Sequence, residues 1–338
     1  MRHSILIETV LPQIPAPCII QQDSSSSLIT KFTKLNMEVS PQDGNRSSQD
    51  PFCSAALRQT NTLWFLTASN ILLAITSTLG NTLILTALSK GSCLHPPSKI
   101  LLRSLALTDF FVGILVEPLF VTSLITVEYK SFNLCYYVYS IGFFTGLLLF
   151  FVSLLTLTAI SVDRLLALLL GIRYRQVVTV KRVLLVVIWF WILTIGLCSA
   201  GILKDKIVTY YSSIAVPSCL VISVCCYLKI YQKLHHQTQI HVHPGQPVGH
   251  APLNIARYRK TVSSTLWVQF SVLACYLPLC IVIVLVAVKG ATLSLIVAWT
   301  FSSTLTLFNS TLHPILYYWK MRDVRQAVIE TIRQISCF

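Results

Sequence analysis

The chain has 338 residues, 54% of them hydrophobic and only 11% charged. Soluble domains carry about 25% charged residues, so this composition excludes an ordinary water-soluble fold. The formal net charge of +14 invites a nucleic-acid reading, which the placement of the basic residues makes unnecessary.

Residues 1–60 are polar and low in complexity, with "QQDSSSS" at 21–27, and are expected to form a mostly disordered tail outside the cell. "SILIETVLPQIPAPC" is too short and too broken by proline for a good signal peptide, so the first apolar span is expected to direct its own insertion. Asn45 opens an Asn-Arg-Ser glycosylation sequon, usable if this tail is outside.

Seven apolar runs follow, roughly 62–89, 99–125, 135–163, 183–203, 207–231, 262–288 and 292–319. Each supplies the roughly 20 residues that cross a ~30 Å hydrocarbon core as a helix. The expected fold is therefore all-α, a seven-transmembrane helix bundle over 61–319 with a short tail segment at 320–338. Only "KDK" (204–206) separates the fourth and fifth runs. Of the 26 Lys and Arg, 17 fall on the loops and rims of one side, the C-terminal tail included, and the opposite loops hold only Lys130, Lys204, Lys206 and Lys289. The positive-inside rule then puts the C-terminus in the cytoplasm and the N-terminus outside, in a multi-pass plasma-membrane protein. The basic side faces acidic lipid and a cytoplasmic partner, and nucleic acid is not needed.

The eleven cysteines show no CxxC or Cys/His zinc spacing. The histidines of "HHQTQIHVHPGQPVGH" (235–250) sit one and two residues apart in a Gly/Pro-rich loop, which fixes no tetrahedral metal site and reads as a flexible linker.

Polar residues inside the spans carry the functional signal. The helix from Cys135 to Arg164 is about 43 Å long, so Asp163-Arg164 reaches the cytoplasmic rim, where a snorkelling arginine is the plainest account. Asp109 lies inside the hydrocarbon, where an ionisable residue marks function by default. Asn81 is a second deep polar group, and Asn309, Ser310 and His313 form a third patch. Pro278 and Pro314 interrupt two spans and leave backbone carbonyls for neighbours to satisfy.

Together these residues resemble the rhodopsin family (class A) of G-protein-coupled receptors across nearly all of 61–337. The matches are Gly80-Asn81, Leu105-Ala106-x-x-Asp109, Asp163-Arg164-Leu165, Trp189, Cys275-Tyr276-Leu277-Pro278 and His313-Pro314-x-x-Tyr317. "KMRDVRQAVIETIRQISC" is similar to the short amphipathic helix such receptors lay on the inner leaflet, with Val324, Ala327, Val328 and Ile332 as its apolar face and Cys337 as a candidate for palmitoylation. The resemblance implies a receptor that is not an enzyme and that passes an external ligand signal to a heterotrimeric G protein. Asp163 would restrain Arg164 at rest and release it to a G-protein helix. Ile172 would dock on the Gα surface, and Tyr317 would complete the coupling set. Tyr276, Pro278, His313 and Pro314 would form the activation switch. The acidic residue that often locks the arginine from span six is missing in "IARYRKTV" (255–262), which implies a loosely held resting state.

Departures from the family pattern bear on the ligand. The span-three cysteine of the usual disulfide is replaced by Tyr139, and the loop at 204–206 has no cysteine, as in the melanocortin, cannabinoid and lysophospholipid branch. Cys53 is expected to bridge Cys135 instead, with Cys198 as the competing partner. Gly146 stands where an amine receptor needs aspartate, and Leu307 where an opsin needs its lysine, so monoamine and retinal are poor ligands. The pocket positions by analogy are Glu117, Phe143, Gly146, Leu147, Phe150, Tyr276, Leu279, Trp299 and Ser303, with Glu117 as the only charge. Such a pocket suits a lipid or a hydrophobic peptide end, though the same residues also serve as plain helix packing.

In relatives an aspartate matching Asp109 holds a sodium ion with nearby polar groups, here Asn81, Ser153 and Asn309. His313 replaces an asparagine there, so a protonated imidazole is expected to pair with Asp109 and take the place of sodium. A neutral histidine bonded to backbone or water is the alternative. No other cofactor is expected. A polytopic transporter or a membrane enzyme built on Asp109 and His313 stays open as a second class, but no inverted repeat or second ligand pair accompanies them.

Overall fold

The computed structural model describes residues 52–53, 60–90, 95–203, 205–241, 270–286, 288–290, 292–320 and 322–336. Its elements are nearly all helical, because in hydrocarbon every backbone N–H and C=O must be bonded within its own segment. Span one is Thr60–Lys90. Span two runs Pro96–Phe111, passes through a π-helical stretch Val112–Val116 and continues as Glu117–Glu128. Span three is the long helix Phe132–Leu170. A 3-10 turn, Gly171–Arg173, leads into a short inner-loop helix, Tyr174–Val177. Span four is Val180–Leu203 and span five is Asp205–His241. The apolar helix Phe270–Val286 lies within the sixth run, whose start at 262 is outside the described residues. Span seven is Leu293–Lys320, followed by the surface helix Arg322–Ser336.

Six of these helices are long and apolar enough to cross a membrane. Their exposed faces are apolar, as lipid contact requires: Leu72, Leu79, Leu185, Ile214 and Val288 are all exposed. Two apolar clusters hold the bundle. At the Arg164 end, Ile84, Leu88, Leu101, Leu105, Ile160 and Tyr317 pack with Val324, Ala327 and Val328 of the surface helix. At the Cys135 end, Leu63, Leu66, Phe120, Leu124, Val282 and Trp299 pack around Phe52 and Cys53.

Close approach at two glycines sets the packing of span one. A Cβ on Gly80 would sit 3.1 Å from the ring of Pro314, and one on Gly113 would sit 2.6 Å from Thr78 Oγ1. Gly113 lies in the π-helical stretch, where a wider turn rotates everything beyond it relative to Asp109.

Several details differ from the sequence expectations. The helix of span five continues through His241, so His235, His236 and His241 are helical and not part of a loose linker; residues 242–250 are outside the described set. Trp189, the family match in span four, is 60% exposed, and its neighbour Trp191 packs on the core. The apolar face of the surface helix is largely taken up by the bundle: Val324, Ala327 and Val328 are buried against it, while Ile332 is 45% exposed. Asn45, Cys337 and the basic stretch 255–262 lie outside the described residues.

Candidate functional site

Three polar constellations interrupt the apolar bundle. At its centre, His313 Nδ1 stands 2.6 Å from Asp109 Oδ2, with the ring fully buried. The aspartate comes from span two and the histidine from just before Pro314, so the pair ties spans two and seven. Asn81 Nδ2 donates to the Ser77 carbonyl at 2.9 Å and to the Ser310 carbonyl at 3.0 Å, and Ser77 Oγ donates to the Asp109 carbonyl at 3.1 Å. Asn309 and Ser153 are buried, and among the described residues Asn309 Oδ1, Asn81 Oδ1, His313 Nε2 and the Tyr317 hydroxyl find no hydrogen-bond partner. The His313 and Tyr317 rings stack 6.1 Å apart. A sodium ion needs oxygen ligands on Asp109. His313 Nδ1 already takes up Oδ2 at 2.6 Å, so these residues do not fit sodium at that oxygen with His313 in this position.

At the Arg164 end, Arg164 Nη2 is 3.4 Å from Asp163 Oδ2. Asp163 is almost wholly buried and held from two further directions. Tyr174 donates its hydroxyl to Oδ1 at 2.6 Å, and Ser98 Oγ donates to Oδ2 at 2.8 Å. The inner-loop helix thus folds back on the base of span two, and His95 packs its ring 4.9 Å from Tyr174. Burial, followed by the hydrogen bond to Asp163, pushes the Tyr174 phenol well above its ordinary range. Burial also lowers His95, with Asp163 opposing. Behind the pair, the Ser161 and Tyr227 hydroxyls meet at 3.0 Å, and Tyr227 and Ile230 pack on Leu165 and Leu168. Ile172 follows directly in the 3-10 turn, and its side chain lies outside the described residues.

Ser98 and Tyr174 contact Asp163 and were missed by the sequence reading. Tyr174 and Ser98 meet Asp163 only after the inner loop folds back, and the sole signal in the sequence is a tyrosine shortly after Arg164. Tyr174→Phe leaves a buried carboxylate oxygen without its donor, a loss of about 1.5 kcal/mol or more. Purified Tyr174→Phe is expected to melt roughly 2 °C or more below the wild type; an unchanged melting temperature would mean that this contact does not hold the loop.

At the Cys135 end a disulfide joins Cys53 to Cys135, and Cys198 is a free buried thiol. The Phe52 ring stacks on Tyr139 at 4.3 Å and lies 6.2 Å from Phe120. Leu279 and Trp299 join the same cluster. Phe143 does not enter it: it is 39% exposed, touching Tyr139 and Phe144, and Tyr139 takes the inward place. Below, Phe150 packs on Tyr276 at 4.6 Å, and Thr306 Oγ1 donates to the Cys275 carbonyl at 3.4 Å, close to the break at Pro278. Gly146, Leu147 and Ser303 are half-buried. A Cβ on Gly146 would meet Val116 at 3.3 Å, so Gly146 faces the residue next to Glu117. Glu117 is fully buried, and neither of its carboxyl oxygens has a hydrogen-bond partner among the described residues.

The bundle carries a charge-paired arginine at one end of span three and a buried polar junction between spans two and seven, and the proteins it resembles are receptors. The model of the "7 transmembrane receptor (rhodopsin family)" matches residues 80–221. The chain is 26% identical over 288 residues to adenosine receptor A3 of Ovis aries, covering 77% of this chain and 86% of that receptor. It is 24% identical to melanocortin receptor 3 of Homo sapiens, covering 78% and 83%. A shorter match to adenosine receptor A2b of Bos taurus reaches 33% over 132 residues, 38% of each chain. The chain is thus similar to receptors of the rhodopsin family, along most of its length at low identity and through the family model over 80–221.

Proposed function

We propose that this receptor lies in the plasma membrane with its N-terminus outside and its C-terminus in the cytoplasm, and that it couples through Arg164. The observation that carries this reading is the Asp163–Arg164 pair, 3.4 Å apart at the end of span three that also carries the basic loops. Asp163, Arg164 and Tyr317, with Ile172 on the adjoining turn, are the coupling set. Tyr276, Pro278, His313 and Pro314 link it to the Cys135 end. At Asp109 the His313 imidazole takes the place of sodium, so the receptor needs no ion there.

The ligand sits in the outer half of the bundle, among Glu117, Phe150, Tyr276, Leu279 and Trp299. The relatives are named for adenosine and melanocortin, which differ in chemistry. The apolar lining supports a lipid or the hydrophobic end of a peptide. A haemagglutinin tag at the C-terminus is expected to stain cells only after permeabilisation, and a tag at the N-terminus to stain intact cells. The receptor, reconstituted in nanodiscs, is expected to accelerate nucleotide exchange on at least one Gα class. Surface staining of the C-terminal tag would reverse the topology and take Arg164 away from the G protein.

A further inference from the structure

Among the described residues, three buried oxygens without hydrogen-bond partners stand within about one helical turn of each other in height: both carboxylate oxygens of Glu117 and Oδ1 of Asn70. Gly113 packs on Ser77 and Thr78. Glu117 lies about one turn outward of Gly113 and Asn70 about two turns outward of Ser77, so they differ by about one turn in height. Span one packs along Glu117–Glu128, which sets the two residues on facing helices. The Asn70 amide is already committed, donating to the Leu66 carbonyl at 2.7 Å and to Thr304 Oγ1 at 2.9 Å. What remains is a set of acceptors with no donor.

Thr304 also lines a cavity of about 580 Å³ between spans one and seven. Its other walls include Phe65, Leu72, Phe301, Leu305 and Phe308, and Phe65 and Leu72 are each 64% exposed on the outer surface of the bundle. The cavity therefore opens toward lipid and backs onto the residue that bonds Asn70. A carboxyl alone at this depth is either neutral, with an O–H of its own to donate, or ionised and in need of a cation. An ammonium meets the second case, supplying both donors and charge. The span-three position where amine receptors carry their acid is Gly146, which faces Val116, and the next residue of span two is the acid Glu117.

We propose that spans one, two and seven bind a single-chain amphiphile carrying a protonated amine, its alkyl chain in the cavity and its ammonium directed to Glu117 and Asn70. This rests on the receptor reading above and narrows its ligand to a cationic lipid-like amine. The occupant enters from the outer leaflet, where its chain is already dissolved.

The test compares dodecylamine with N-dodecylacetamide, which has the same chain but no charge, by melting the purified receptor in phosphatidylcholine nanodiscs. The amine is expected to raise the melting temperature of the wild type in a saturable way, and the amide is expected not to. Glu117→Gln should raise the amine concentration needed by about tenfold or more, as loss of one partner of a desolvated charge pair does. Leu72→Trp narrows the cavity and leaves Glu117 in place; it should weaken the amine effect as well, and it decides the matter if Glu117→Gln does not fold. Equal shifts from amine and amide, no shift from either, or an amine effect that survives in the folded variants would overturn the proposal. Arg164→Ala should keep the amine-induced shift while losing nucleotide exchange. An amine-stabilised protein that never drives exchange would keep this site and sink the receptor reading. Exchange activity without an amine effect would do the reverse.

Discussion

Arg164→Ala is expected to abolish G-protein activation while leaving folding and surface expression close to the wild type. The guanidinium sits at the rim of the bundle, 14% exposed, and is not part of either apolar cluster. Its resting partner Asp163 does not depend on it alone, because Tyr174 and Ser98 each donate a hydrogen bond to the same carboxylate. Removing the arginine therefore leaves a buried aspartate that is still bonded, which keeps the structural cost small. The cost to coupling is different in kind. An arginine at the centre of an interface contributes about 2 kcal/mol or more, about thirtyfold in affinity, and no other residue of span three can reach the same place. Nucleotide exchange on Gα, measured at matched receptor density in nanodiscs, should fall to the level without receptor. Exchange at the wild-type rate would remove Arg164 from the coupling role and move attention to Tyr227 and Ile230, which line the same end of the bundle.

The contrast between Asp163 and its partners shows what the sequence could reveal. The spans were legible because hydrocarbon imposes a length and a composition on each one. Asp109, His313 and Arg164 were legible because a charged or titratable group in such a segment needs a reason. Cys53 and Cys135 were legible because few cysteines lay where oxidation is possible. Residues defined by what comes back to meet them were not. Tyr174 is an ordinary loop tyrosine until the chain folds it onto Asp163, and Ser98 is one serine among many. The widened turn at Val112–Val116 leaves no compositional trace apart from Gly113, yet it re-aims Glu117. Trp189 and Trp191 differ by two positions, which on a helix are about 200° apart, so only the packing could tell which one faced the core. The surface helix was legible as amphipathic. That its apolar face meets protein more than lipid was not, because both surfaces are apolar.

His313→Asn is expected to give the receptor a sodium dependence that the wild type lacks. In the wild type the imidazole Nδ1 lies 2.6 Å from Asp109 Oδ2, so an oxygen that a cation would need is already taken by a nitrogen. Asparagine is shorter and offers an oxygen where histidine offers only nitrogen. It would free Oδ2 and add a ligand of the kind that a hard cation prefers. The surroundings are ready for this change: Asn309 Oδ1 and Asn81 Oδ1 are buried with no donor, and both belong to the polar junction between spans one, two and seven. A buried carboxylate stripped of its nitrogen partner also becomes an uncompensated charge, which raises the gain from binding a cation. Nucleotide exchange should then fall as sodium chloride replaces potassium or choline chloride at constant ionic strength, in His313→Asn only. His313→Phe is the control: it removes the N–H without supplying an oxygen, leaves Asp109 unpaired, and should lower the melting temperature more than His313→Asn does in sodium. If wild type and His313→Asn respond to sodium alike, the imidazole is not standing in for the ion, and the 2.6 Å contact serves only to hold spans two and seven together.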